Sequence, residues 1–524
     1  MLASLVLAVL FDRLFWHQGI GVNLALFAVL VLISAPLLEG GRMSLNARWT
    51  AVGVVVAAGM LVLHGSFMAG FALCLSLMAF TGFLHEAALR THVAALLQWL
   101  VGSLAIPLAY LKVLHGLTGD RRAFRAGWRW GRLVFVPLLV LTVYVLLYRG
   151  GNSKFNAMTA GFFDDIGRYL DRFFSNILTP HALFFLFGLG VCGGLLVRHL
   201  RGPIAHGEPM ASDDLQRVRR KRPHWALPLA MGALERERRM GIVLLVLVNG
   251  LLLVVNAIDI QWFWGGFTVP EHFNLKEFVH EGTWLLIISI MLSMGILLHL
   301  FRRNLNFHPK ARLLRILAFT WLGQNFILGI SVFLRNYHYI SFHGLAYLRI
   351  GVVVFLTLVL VGLITLAVKI HRRKSFFFLF RVNGWAAFVA LIALSTVDWD
   401  STIVRYNLHH WNSGEIDIDN YLAMSDKVLP LLYADLPRVA EQMAKHRENE
   451  VRWVDHLDPV AFKAELDHKR EDFLKRYTTQ DWQSWTIADE RTYDGLKQLG
   501  LVQVASTKDL ALPPALAEAR ATDN

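Results

Sequence analysis

Ionised side chains are scarce in this chain. Asp, Glu, Lys and Arg make up 17% of its 524 residues, where an ordinary soluble domain carries about 25%. Cysteine is scarcer still: Cys74 and Cys192 are the only two, both inside apolar runs. Two thiols so far apart support neither a disulfide scaffold nor a thiolate zinc site. The short signatures of chemistry are missing as well. There is no G-x-S-x-G elbow, phosphate-binding glycine loop, H-E-x-x-H helix or paired-carboxylate motif, and no internal repeat is visible. These gaps weigh against an enzyme, give no reason to expect a cofactor or a metal, and leave the chain to be read from what it does contain.

What it contains is apolar residues, 55% of the total, with a mean hydropathy of +0.45. Long, nearly charge-free stretches recur through the first 396 residues. A span needs about 20 largely apolar residues, because in lipid every backbone hydrogen bond must close within the helix. Such runs occur at Gly21 to Leu38, Thr50 to Leu63, Phe67 to Leu84, Ala94 to Leu111, Leu133 to Leu147, His181 to Val197, Gly241 to Ile260, Trp284 to Phe301, Leu313 to Leu334, Gly351 to Val368 and Phe376 to Thr396. With Met1 to Leu10, which lacks a basic n-region and a cleavage site and so is expected to be retained, the count is eleven or twelve. The fold class predicted is an all-α polytopic membrane protein with a small, mainly helical extracytoplasmic C-terminal domain. Its parts are a transmembrane domain over 1–396, a basic cytoplasmic loop within it at 198–239, and a soluble, periplasmic helical tail over 397–524. Thr50 to Leu84 reads either as a tight hairpin around His64–Gly65 or as something less regular, so the N-terminal side stays open.

The formal charge of +13 divides unevenly. From Asp398 onward 23 acidic and 15 basic residues give −8, so the front carries +21. The basic residues gather in short links: Arg121, Arg122, Arg125 and Arg129; the run Arg217–Arg222; Arg302–Arg303; and His371–Lys374. The positive-inside rule puts such links in the cytoplasm, which places the segments around Phe162 to Pro180 and Gln261 to Glu281, and the tail, outside. Trp262 and Trp264 then sit where an interfacial aromatic belt belongs. Basic residues spread over span links, with no recognition element, are not a nucleic-acid patch. The partners expected are membrane lipids and an envelope protein, and the location is the bacterial inner membrane.

Polar groups within apolar runs are costly and therefore informative. Asn249, Asn256 and Asp259 recur on one run, Gln324 and Asn325 lie mid-run in another, and Asn383 lies in the last span. They read either as the lining of a cavity or as interhelical hydrogen bonds. No span carries paired mid-membrane carboxylates or a run of arginines, so proton pumping and voltage sensing have no support. The small-residue pattern Gly188, Gly190, Gly193, Gly194 allows close helix approach. Beside a short outer link lie Arg335, His338, Tyr339, His343, Tyr347 and Arg349. Such a group can bind phosphate or a lipid head group or simply anchor the chain at the membrane interface.

In the tail, Asp417, Asp419 and Asp426 lack the spacing, glycine and closing glutamate of a calcium loop, and a helix-start cap or ion pair is the alternative. The His409–His410 pair and the group Glu271, His272, His280, Glu281 lack metal-ligand spacing.

Several of these residues form a pattern. Tyr339-x-x-Phe342-His343-Gly344-Leu345-x-x-Leu348-Arg349 is followed by Arg381-x-Asn383, then Val397-Asp398, Ile403-x-Arg405-Tyr406-Asn407, Asp417-x-Asp419-x-Tyr421-Leu422 and Leu429-Pro430. The pattern resembles a family of bacterial multi-pass inner-membrane proteins classed as a domain of unknown function (DUF4173- or DUF4153-like). Here Ala346 stands where the family has threonine, and His343 where an aromatic residue is more usual. The match is best from about Asn304 to Leu432. The resemblance implies one multi-pass module with an attached helical tail and brings no substrate, cofactor or catalytic residue. It marks Arg405, Tyr406, Asn407, Asp417, Asp419 and Tyr421 as family-like, with Arg405 expected to dock the tail by bonding backbone carbonyls or Asp398. The leading expectation is an envelope scaffold, sensor or regulator. A transporter or flippase of small or lipidic substrates and a membrane-embedded transferase are the alternatives.

Overall fold

The computed structural model describes residues 1–118, 179–198, 207–208, 210–217, 232–265, 275–302, 304–409, 416–448 and 457–502, with single positions between 137 and 159. The expected span at Leu133 to Leu147, the segment around Phe162 to Pro180 and most of the Arg217–Arg222 run lie outside that set. So do Arg121 to Arg129, Glu271, His272, His410 and Pro513–Pro514, as do the side chains of His280 and Glu281.

All regular structure described is helical. Among the described residues seven helices are long and apolar enough to cross a membrane, and three shorter apolar ones accompany them. This is a polytopic, all-α membrane protein. Its large apolar side chains confirm the solvent it is built for: Val243, Val246, Leu247, Leu251, Val254 and Ile258 on one helix are all exposed, an apolar strip that only lipid covers without penalty.

The chain divides into two compact units. The first comprises 1–61, 67–213 and 380–392. It contains α1 (Leu2–Phe15), α2 (Val22–Leu38), α3 (Leu45–His64, to residue 61), α4 (Phe67–His85), α5 (His92–Thr118) and α6 (Pro180–Leu196). Helix α6 packs on α1 and α5, and its glycines permit it. A Cβ on Gly194 would overlap the Ser103 side chain of α5, so only glycine allows the two backbones this close. His92, at the start of α5, is enclosed by Phe83, Trp385 and Phe388, with ring centroids 5.4, 4.3 and 4.7 Å away.

The second unit comprises 62–66, 214–379 and 393–524. Its membrane helices are α7 (Ala233–Asp259), α8 (Leu275–Leu300), α9 (Arg312–His343) and α10 (Tyr347–His371). Helix α11 (Phe376–Ser395) lends its middle to the first unit and its ends to this one. Helix α7 continues into a π-helical turn, Ile260–Trp264.

Helix α9 is the centre: α7, α8 and α10 all pack on it. Its buried positions Leu314, Ala318, Trp321, Asn325, Leu328, Val332, Arg335 and Tyr339 alternate spacings of four and three, the repeat that keeps one seam facing a partner helix. At 32 residues it is about 48 Å long at 1.5 Å per residue, against a hydrocarbon core of about 30 Å. At least one end of α9 therefore stands clear of lipid.

Beyond α11 lie α12 (Trp399–His409), α13 (Leu429–Ala434), α14 (Leu436–Glu448), α15 (Pro459–Thr479) and α16 (Ile487–Gln498). Their core of Ile403, Val404, Tyr421, Leu429, Leu432, Phe462, Phe473 and Leu496 also takes in Ile350 of α10. The tail is therefore packed continuously onto a membrane helix.

Candidate functional site

Two polar constructions stand out in the second unit. The first is a seam between α7 and α9. Asn249 Nδ2 donates to the Leu317 carbonyl at 3.1 Å, and Gln324 Nε2 donates back to Asn249 Oδ1 at 3.0 Å. One heptad on, Asn256 Nδ2 donates to the Gln324 carbonyl at 3.0 Å. Arg335 then closes on Asp259 at 2.5 Å, both side chains under one-tenth exposed, and Trp264 Nε1 reaches Ser331 Oγ at 3.2 Å. The two asparagine-to-carbonyl pairs, Asn249 with Leu317 and Asn256 with Gln324, share an offset of 68, and the Asp259–Arg335 contact lies further along both helices, so the helices run parallel. In lipid each amide must find a partner, and a parallel pair with asparagines seven residues apart offers each of them the backbone of its neighbour.

The seam is incompletely satisfied. Asn256 Oδ1, Asp259 Oδ2 and Gln324 Oε1 are buried with no hydrogen-bond donor. The amide nitrogens of Asn256 and Gln324 are already used on the Gln324 carbonyl and on Asn249, so turning these two amides over would only move the deficit. Asn325 is fully buried, and one residue further round α9 it spends its Nδ2 on the Trp321 carbonyl of its own helix at 2.8 Å. Asn383 is half-buried on α11 and belongs to the first unit.

The second construction is the corner where α9 turns into α10. Gly344 has φ +79°, and a Cβ there would meet Asn407 Oδ1 at 2.6 Å. Only glycine takes this turn without strain. The Asn407 carboxamide grips the next residue on both sides: its Oδ1 accepts the Leu345 N–H at 2.6 Å and its Nδ2 donates to the Leu345 carbonyl at 3.0 Å. Arg349 donates to the His343 carbonyl at 2.6 Å and to the Gly344 carbonyl, and lies over the Tyr339 ring at 4.5 Å. Asn336 Nδ2 holds the Arg349 carbonyl at 3.2 Å.

The corner is tied a second time. The Tyr347 hydroxyl donates to Asp400, whose other oxygen accepts from Ser425 at 2.5 Å. Lys427 Nζ bridges Asp398 at 2.8 Å and Asp400 at 3.5 Å. Burial acts to raise the pKa of Asp398, but the bonded Lys427 ammonium and the Ser401 hydroxyl outweigh it and hold the carboxyl below its ordinary range.

The residues expected as one outer polar site divide between these constructions. Arg335 turns to Asp259, Arg349 turns to the corner carbonyls, and Tyr339 and His343 are buried against each other with centroids 4.6 Å apart. His338 is half-buried and Tyr347 exposed. Of the family-like triplet, Asn407 is the residue that docks the tail. Arg405 is exposed and Tyr406 half-buried, while Asp398, the partner expected for Arg405, is occupied by Lys427. Asp417 Oδ1 accepts the Asn420 N–H at 3.2 Å, just ahead of the buried Tyr421 in a short 3-10 turn. Asp419 accepts the Leu457 N–H at 3.1 Å, and Asp426 pairs with Arg476 at 2.9 Å. These three carboxylates thus serve three separate protein partners. Among the described residues no three His, Cys, Asp or Glu side chains come together as metal ligands would.

Sequence reasoning passed over Lys427 and Ser331, and named Tyr347 without its partner Asp400. Lys427 is one of many lysines in a polar tail, and nothing short of the fold brings it beside Asp398.

Residues 50–434 match the family model described as Domain of unknown function (DUF4153). The chain belongs to the DUF4153 family. No curated protein and no solved structure matches it. The DUF4153 region contains the whole seam and the whole corner, including Asn407, Asp400 and Lys427. It ends at the last residue of α13, so α14 to α16 lie beyond the part that defines the family.

Proposed function

We propose that this DUF4153 protein is an inner-membrane scaffold or regulator of a bacterial envelope, its tail on the periplasmic side offering a surface to an envelope protein. The observation that carries this reading is the double tie at the α9–α10 corner. Asn407 on Leu345, with Tyr347 and Lys427 on Asp398 and Asp400, makes the start of the tail one body with the central membrane helix, so a load on either is felt by the other. The polar seam supports it too, since its groups are spent largely on fixing register. The tail also presents Val460 and Trp482 to solvent, side chains suited to an interface. The basic links favour the periplasmic assignment.

The test is a photoreactive residue placed at Val460 or Trp482 in the full chain in living cells. A discrete adduct with one envelope protein, weakened by Asn407→Ala, is the expected result. Absence of any adduct from both positions, with the protein correctly inserted, would count against a scaffold.

Transport of a small or lipidic substrate is the second reading. It draws on the donor-less oxygens of Asn256, Asp259 and Gln324, which a passing ligand or a file of water would satisfy. Loss of solute flux on Asn256→Leu, with expression intact, would favour it. A transferase has less to draw on, because Arg335 and Arg349 are both committed to protein groups.

A further inference from the structure

At the end of the α7–α10 bundle opposite the corner, positive charge accumulates without compensation. Lys369, near the end of α10, is 2% exposed, and its ammonium donates to the Phe301 carbonyl at 2.8 Å. Asn306 Nδ2 donates to that same carbonyl at 2.8 Å, and Arg315 donates to the Asn306 carbonyl at 2.5 Å. Lys369 and Arg315 are therefore joined by one chain of three hydrogen bonds through Phe301 and Asn306. Arg315 Nε is buried with no acceptor. Arg373 lies over the Phe307 ring at 5.4 Å and close enough to Arg315 for their charges to oppose each other.

Each cation sits where folding alone would not put it. Arg315 is in the first turn of α9, which carries no acidic residue and whose N-cap, Ala311, supplies no side-chain acceptor. The positive end of the helix dipole opposes a cation there. Arg373 has φ +51°, as the residue that ends α10 while the Lys374 N–H returns to the Lys369 carbonyl at 2.9 Å. That position favours glycine. Lys369 is buried with its ammonium on a backbone carbonyl, although a buried charge is normally paired.

Among the described residues no carboxylate lies within ion-pair distance of Lys369, Arg315 or Arg373. Glu235, which reaches the same link through His308 at 3.3 Å, is already bonded to Arg238 and Arg239 at 2.7 and 2.9 Å. Asp214 is bonded to Lys374 at 2.6 Å. An anion bound here would offset the charge of these three cations, and Arg315 Nε offers it an unused donor.

We propose that this corner binds a phosphate group, presented by an anionic phospholipid at the membrane surface. The chemistry selects a compact, multiply accepting oxyanion: guanidinium groups pair with phosphate oxygens in planar fashion and the ammonium adds a point charge. Its place at helix ends that meet the membrane boundary puts it level with lipid head groups.

The test uses the purified full-length protein in nanodiscs of phosphatidylcholine, with and without phosphatidylglycerol, and inorganic phosphate titrated at constant ionic strength. Phosphatidylglycerol is expected to raise the unfolding temperature. Arg315→Gln and Arg373→Gly should each lose at least half of that rise and retain the lipid roughly fivefold less in native mass spectrometry, the effect of one charge near the surface. Arg373→Gly keeps the fold, since glycine suits the backbone there, and Arg405→Gln, on the exposed face of α12, should respond as the wild type does. A rise with phosphatidylglycerol alone assigns the head group as the source. An equal rise with inorganic phosphate in phosphatidylcholine assigns free phosphate to the same site. The proposal falls if neither phosphate source shifts the wild type, or if both variants respond as fully as it does.

Discussion

The Asp259–Arg335 pair concentrates the stakes of this membrane fold in two side chains. Both are under one-tenth exposed and 2.5 Å apart. Removing one partner of such a pair leaves a charge without compensation, at a cost of about 3–5 kcal/mol, whereas replacing both by apolar groups is often close to neutral. Arg335→Met is therefore expected to lower stability by that amount, and the double variant Asp259→Leu/Arg335→Met to recover most of it. Unfolding of both in the same detergent checks this; a double variant no better than the single would show that Arg335 holds more than Asp259. A second pair offers a pH signature. Because Asp398 has its folded-state pKa depressed by Lys427, its contribution is present above the unfolded value of about 4 and is lost as pH falls through the folded value. Melting temperatures should decline from pH 5 towards pH 3 in the wild type, and the decline should be shallower in Lys427→Met, where the depressing charge is gone.

At the level of elements, the corner between α9 and α10 depends on a turn only glycine makes freely. Gly344→Ala combines a positive φ with a Cβ 2.6 Å from Asn407 Oδ1, and is expected to cost about 1–3 kcal/mol. It should also raise hydrogen exchange of the Leu345 amide and along α12, since the Asn407 grip is what the new methyl displaces. If exchange rose in α9 alone, the tail would be held independently of the corner. The seam behaves differently. Interhelical hydrogen bonds in membranes contribute about 0.6 kcal/mol each, because the separated helices also find partners. A single change such as Asn249→Leu is thus expected to be mild in stability, with its larger effect on register between α7 and α9.

For the whole molecule, the charge of +13 dissolves into +21 in front and −8 behind, and the positive-inside rule then gives a side to each part. A reporter fused after residue 524 that is active only in the periplasm should work, and one active only in the cytoplasm should not. The reverse result would invert the proposed orientation while leaving the bundle unchanged, because packing within the helices is indifferent to which face is which. The same experiment with the reporter at residue 210, in the basic loop, should give the opposite sign.

Long charge-free runs were sufficient to read a polytopic helical protein from composition, because lipid leaves the backbone no alternative to helices. The family-like pattern around Tyr339 to Asn407 was legible for a related reason, as it packs glycine, arginine and asparagine into a short stretch where a turn must be made beside a membrane. Asn249, Asn256, Asp259 and Gln324 were visible as costly polar groups, yet whether they lined a cavity or joined helices was open. Spacing along one helix says nothing of which neighbour it faces. Only the tertiary structure decided that α7 lies parallel to α9 at an offset of 68, that Arg335 goes to Asp259 and Arg349 to the corner carbonyls, and that Asn407, not Arg405, takes the tail to the bundle. It also gathered Lys369, Arg315 and Arg373, more than fifty residues apart at the extremes, into one uncompensated corner. Helix formation in lipid is a local necessity written in hydropathy. The pairing of polar groups is a long-range choice, made by whichever partner the packed helices bring within about 3 Å.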